Sequence, residues 1–200
     1  MVQSNITADR RKPRGYTTVE VMMAMTLFAI GSAGVISMQR AAVISNTDVR
    51  KIDLASTIAR QWMARLHRDS SKWTLPSARN PSGNNLANAA LLNHVDNLWR
   101  RPDDYANAAN PEGRSPAFDI VGRDLLLSQV AQAQFCVHVR LKWLETNRMM
   151  RAEVRVYWPR DEVRSAAGDF CSTAPATITA TPQNFHFVYV ADAVRENIVP

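Results

Sequence analysis

Residues 10–38 read RRKPRGYTTVEVMMAMTLFAIGSAGVISM, and the fold follows from how that stretch is read. Its start is basic: Arg10, Arg11, Lys12 and Arg14 stand against the single acid Asp9. Gly15, Tyr16 and Glu20 come next, and residues 21–38 then run for 18 positions with no charge and no proline. Coiled as a helix, those positions extend about 27 Å, close to the hydrocarbon thickness of a bilayer. Thr26, Ser32, Ser37, Gly31 and Gly34 make the run more polar than most spans. The basic flank sets the direction. Cations stay on the cytoplasmic side, so the N-terminus is expected inside and the bulk of the chain outside.

Three ordinary explanations compete for this pattern. A cleaved secretory signal has the same charged start and apolar middle, but no clean A-x-A site follows. Ser32-Ala33-Gly34 lies inside the run, and Arg40 interrupts the next candidate. A plain signal anchor suits the run, whereas a buried helix of a soluble protein conflicts with the basic flank and the length. None of the three accounts for Glu20. A carboxylate at the edge of a membrane helix carries a desolvation cost, which rises to about 2.5–3.5 kcal/mol at the centre of a span. Cleavage between Gly15 and Tyr16 supplies a partner, a new α-amino group four residues before Glu20. The two charges then neutralise each other within one turn or between neighbouring chains. The simpler alternative is that Glu20 complements the helix dipole in the first turn.

The combination R-K-P-R-Gly15-Tyr16-Thr17-Thr18-Val19-Glu20-Val21, followed by an apolar helix, resembles the class III signal of type IV prepilins and type II secretion pseudopilins. The resemblance covers roughly 25 of the 200 residues. It implies cleavage after Gly15 by a prepilin peptidase, methylation of Tyr16, and a role in assembly for Glu20, which pairs with the N-terminal amine of an adjacent subunit. It implies further partners, namely other pilins or minor pilins and an inner-membrane assembly machinery. The implied location is first a single-pass inner-membrane protein with a periplasmic head, then an extracellular or periplasmic filament. Tyr16 stands where the family usually has phenylalanine, Thr18 where leucine is common, and Ser37 where many major pilins carry a kinking proline. The last departure points away from a major subunit and towards a minor pilin that primes the filament tip. A type II secretion pseudopilin is the nearest alternative, and a signal-anchored periplasmic binding protein or adhesin is the alternative of another class.

Beyond the apolar run the chain reads as α+β. Residues 1–15 form the leader, 16–38 the membrane or filament-core helix, 39–75 its amphipathic continuation, and 76–200 a globular head. In the continuation Ile52, Ala55, Ala59, Trp62 and Leu66 recur at steps of three or four, a stripe suited to packing on a sheet. Pro76 and Asn80-Pro81-Ser82-Gly83 are expected to end it. Residues 76–118 read as a loop with one short helix around Leu86 to Trp99, and residues 119–133 as another short helix. The period then changes to two. Phe135, Val137, Val139, Leu141 and Trp143 alternate with Cys136, His138, Arg140 and Lys142. Ala152, Val154, Val156 and Trp158 alternate with Glu153, Arg155 and Tyr157. Thr146 to Arg148 is the expected hairpin turn, and Phe185 to Val190 a third strand. A small antiparallel sheet with one wet face results, covered on the other by the long helix. On that reading His138 lies on the wet face. The segment Arg151 to Pro159 is also similar to the V-x-V-x-W-P strand of PilV-like minor pilins.

Cys136 and Cys171 have 34 residues between them and no metal-site spacing. They are expected as thiols in the cytosol and as a disulfide in an oxidising compartment, where a bridge stabilises by roughly 3–4 kcal/mol. Half of the formal charge of +6 sits in residues 1–15, so the net charge is a weak argument for nucleic acid, and a filament-borne DNA receptor ranks only as a third option. The Asp103-Asp104 pair after Pro102 reads as a solvated turn, not a metal or acid-base site. No G-x-S-x-G, H-E-x-x-H, Walker loop or G-x-G-x-x-G occurs. The sequence therefore predicts a structural subunit, with no catalytic residues, cofactor or metal.

Overall fold

The computed structural model describes residues 15–74, 86, 89–102, 115–160 and 169–197. The basic run Arg10 to Arg14 and the Asp103-Asp104 pair lie outside them. The chain divides into two compact units, residues 1–48 and 49–200. A 53-residue helix, α1 (Thr18–Ser70), contributes to both.

In the first unit α1 is exposed along its length, with only Ser32 and Asp48 even partly covered. In the second its character changes. Ala55, Ile58, Ala59, Trp62, Met63 and Leu66 are buried, at steps of three and one, which place them on one face. The stripe thus starts one turn later than the sequence pattern suggests: Ile52 remains 49% exposed. The helix also stops earlier, at Ser70, before any proline. The Lys72 and Trp73 N–H groups close the last turn onto the carbonyls of Asp69 and Ser70, and the Ser70 hydroxyl folds back onto His67 O at 2.6 Å. Asp69 is buried there because its carboxylate has partners: the Leu91 N–H at 2.6 Å and Lys72 Nζ at 3.0 Å.

The stripe packs on a four-stranded antiparallel sheet of order β1-β2-β3-β4, formed by β1 (Ala117–Phe118), β2 (Phe135–Glu145), β3 (Met149–Pro159) and β4 (Phe185–Arg195). The α+β class is as expected. The hairpin turns at residues 146–148, where Asn147 takes φ 62°, a conformation asparagine tolerates. The register pairs Val139 with Val154 and Val154 with Val190, so the inner face is a continuous apolar surface. Trp62 and Leu66 lie in one cluster with Val137, Leu141, Val156 and Trp158. Trp73 meets Trp143 edge-on at 5.6 Å.

Three expectations need correction. Residues 89–99 form turns and bends, not a helix; their backbone is drawn to the sheet, with Asn97 N–H on Leu141 O at 2.9 Å and Arg100 N–H on Val139 O at 2.8 Å. In residues 119–133 only Leu127–Gln132 is helical, and as a 3-10 segment. Ahead of it the Asp119 carboxylate accepts the Val121 and Arg123 N–H groups, both at 2.8 Å, and winds a turn instead. These bonds hold the Asp119 carboxyl below its ordinary range, the Arg123 N–H most of all. Gly122 completes the turn with φ +83°, and a Cβ there would come within 2.7 Å of Leu54 Cδ1 on α1. The third correction is the largest: the face expected to be wet is covered over half its length. Cys136 and Tyr157 form a second core with Val130, Phe170, Cys171, Ile178 and Phe185. The cover comes from the connection between β3 and β4, which holds a 3-10 turn, Phe170–Ser172, and a short helix, α2 (Pro175–Ala180).

Candidate functional site

The N-terminal segment is built from its first hydrogen bonds. Thr17 caps α1: its hydroxyl accepts the Glu20 N–H at 3.3 Å and its carbonyl accepts the N–H groups of Glu20 and Val21 at 3.0 and 3.2 Å. Glu20 is therefore the third residue of the helix, where a carboxylate meets the positive end of the macrodipole. Gly15 and Tyr16 precede the helix. Tyr16 is 82% exposed, and a Cβ added at Gly15 would meet nothing within 4 Å. The Gly15–Tyr16 peptide bond thus lies just ahead of the helix start at Thr18, and Glu20 in the first turn.

The helix that follows is long and apolar enough to cross a membrane. Val21, Met22 and Met23 are consecutive, so at 100° per residue they already point three ways. All three are exposed, as are Val19, Met25, Leu27, Phe28, Ile30, Val35, Ile36 and Met38. Transferring these eleven side chains out of water is worth on the order of 15–30 kcal/mol. The polar residues of the run do not oppose that transfer. The Thr26 hydroxyl donates to Met23 O at 2.8 Å, Ser32 to Phe28 O at 2.8 Å, and Ser37 to Gly34 O at 2.9 Å. Each is satisfied by its own helix.

In the head, Cys136 on β2 and Cys171 are joined as a disulfide, with Cα atoms 5.5 Å apart. The bond fastens the covering connection to the sheet. Replacing both cysteines by serine is expected to cost roughly 3–4 kcal/mol in urea denaturation of the detergent-solubilised chain, followed by tryptophan fluorescence.

Beneath that cover lies a polar cluster the sequence reading missed. His138 is wholly buried, and Arg155, opposite it on β3, is 2% exposed. Arg155 donates to His138 Nδ1 from Nε at 3.1 Å and from Nη2 at 2.9 Å. It also donates to Thr179 Oγ1 at 2.9 Å and Pro175 O at 3.0 Å, and its guanidinium lies 4.4 Å from the Trp99 ring centre. With Nδ1 accepting, His138 carries its proton on Nε2, which faces Tyr157 Oη at 3.2 Å. Burial, then the Arg155 and Arg101 charges, push the His138 pKa down to about 2. Burial likewise lowers that of Arg155. His138 is thus no solvated surface histidine but the neutral acceptor of a buried cation. A signal for this was present: Cys136 and Tyr157 share its face, and neither residue type favours a fully wet one.

No protein-family model, no curated protein and no solved structure matches the chain. Among the described residues no group of three or more histidine, cysteine or acidic side chains is placed to hold a metal.

Proposed function

We propose that the chain is a minor pilin of a type IV pilus, cut after Gly15, N-methylated at Tyr16, held in the inner membrane by residues 16–38, and then built into the filament. The reading rests above all on apolar side chains that lie uncovered on every side of residues 19–38. Such a surface needs a lipid or helical surrounding, and a filament core exchanges one for the other. The exposed Tyr16 suits a peptidase, and a new amine there lies four residues before Glu20, with which it pairs within or between chains. A type II secretion pseudopilin would use the same parts.

Intact and N-terminal peptide masses from cells with and without a prepilin peptidase test this. A chain beginning at N-methylated Tyr16, only when the peptidase is present, is the expected result. An uncut chain, or one cut beyond residue 30, sinks the proposal. Glu20→Ala is expected to leave membrane association unchanged but to lower filament incorporation by at least about tenfold, the loss of one desolvated charge pair. The second reading, a signal-anchored periplasmic protein, draws on the place of Glu20 in the first turn of α1, where its carboxylate has a purely local role against the helix dipole. It predicts that Glu20→Ala changes nothing but the fraying of one turn.

A further inference from the structure

The outer face of the sheet carries an unbalanced charge. Arg140 and Lys142 on β2 and Arg151 and Arg155 on β3 share it, since the register sets His138 opposite Arg155, Arg140 opposite Glu153, and Lys142 opposite Arg151. Glu153 is the carboxylate set among these four, and nearer the hairpin Glu145 and Arg195 add one charge of each sign. The surplus of three equals that of residues 16–200 as a whole, with 20 Lys and Arg against 17 Asp and Glu. Toward the disulfide the face is covered, but Lys142 and Arg151 are exposed. The aromatic rings nearby are already engaged. Trp99 lies 4.6 Å from the Arg140 guanidinium and 4.4 Å from that of Arg155, and Tyr189 stacks on Phe187 at 5.7 Å. They hold cations and each other in place, although Tyr189 is 58% exposed. A carboxylate is already received here: Glu153 is held between Arg140, Nε at 2.6 Å, and Arg151, Nε at 2.8 Å. Beside Trp99 opens a mostly apolar cleft of about 520 Å³, between Leu98 and the Pro175, Ala176 and Ala180 side of α2. Asn97, at its rim, is bonded to Leu141, the neighbour of Lys142.

From this charge complementarity we infer that the outer face is a docking surface for an acidic protein segment, whose carboxylates meet Lys142, Arg151 and Arg140 while one apolar side chain enters the cleft. Arginine and aromatic residues around a pocket are the composition of an interface centre. The surface is independent of whether the chain is processed at Gly15.

The test uses the full chain in neutral detergent and a fluorescein-labelled peptide of about 12 residues, glutamate-rich with one central leucine, read by anisotropy at low salt. Expected are saturable binding, weakening by about tenfold or more between about 50 and 200 mM salt, and a similar loss in a Lys142→Glu, Arg151→Gln variant whose circular dichroism is unchanged. Ala176→Trp, which fills the cleft, is expected to weaken the leucine peptide but not an all-glutamate one. Binding indifferent to salt and to the charge variant overturns the inference. So does tighter binding of an oligothymidylate of equal charge, which would assign the face to nucleic acid.

Discussion

Arg155→Ala is expected to cost the head about 3–5 kcal/mol, a large share of the stability of a domain this size. The guanidinium is buried, and it ties β3 to His138 on β2, to Thr179 and Pro175 of the covering connection, and to the ring of Trp99. Removing it strands several acceptors and opens a cavity beneath the cover. Urea denaturation of the disulfide-intact, detergent-solubilised chain measures the loss. The cause can be separated from simple loss of volume. A paired Arg155→Met, His138→Leu substitution removes donor and acceptor together and should recover part of the stability. A single-variant loss below about 1 kcal/mol would mean that water replaces the guanidinium without penalty.

His138 produces the second large effect, through pH. An unfolded histidine titrates near 6.5, but in the folded head burial and the neighbouring Arg155 and Arg101 charges push this one down to about 2. Above pH 6.5 both states are neutral at this site and the full stability is present. As pH falls below 6.5 the unfolded chain takes up a proton that the folded chain refuses, so stability drops by up to about 1.4 kcal/mol per unit. The window from pH 6.5 to about 4 belongs to the histidine. Below it the carboxylates of Asp96, Asp119 and Asp192, which are all held below their ordinary range, add their own losses. Asp192 owes its shift first to His67, at 2.9 Å. His138→Asn can still accept from Arg155 but does not titrate, so its stability should be flat from pH 6.5 to about 4.5. A parallel slope in wild type and variant would place the acid sensitivity elsewhere.

What could be read in the sequence was whatever repeats along the chain. The three- and four-residue spacing from Ala55 to Leu66 located the packed face of α1, and the alternation in residues 135–143 and 152–158 located the hairpin. Thr146 to Arg148 fell where the turn is. The limits were set by contacts between distant parts. Residues 89–99 have a helical look, but Asn97 and the following Arg100 give their N–H groups to the edge of β2, which no local pattern announces. Alternation names two faces and does not say that both are covered; the second is covered by residues 170–180, joined to it through the disulfide, Arg155 and Tyr157. The end of α1 likewise depends on Asp69 bonding Leu91, 22 residues away. At the N-terminus, the reading of Gly15, Tyr16 and Glu20 used only residues close together in sequence, which is why it could be made without a tertiary contact.

The hydroxyls of Thr26, Ser32 and Ser37, each bonded to a carbonyl one turn back, have a consequence for how the helix travels. A free hydroxyl would have to trade water for some new acceptor each time its surroundings changed, and each trade would raise a barrier. These three carry their acceptors with them. To oil, to water and to another helix, the segment from Val21 to Met38 offers the same closed set of polar groups. Between oil and another helix, the choice is then a matter of shape and contact area, so the passage from one to the other can be reversible.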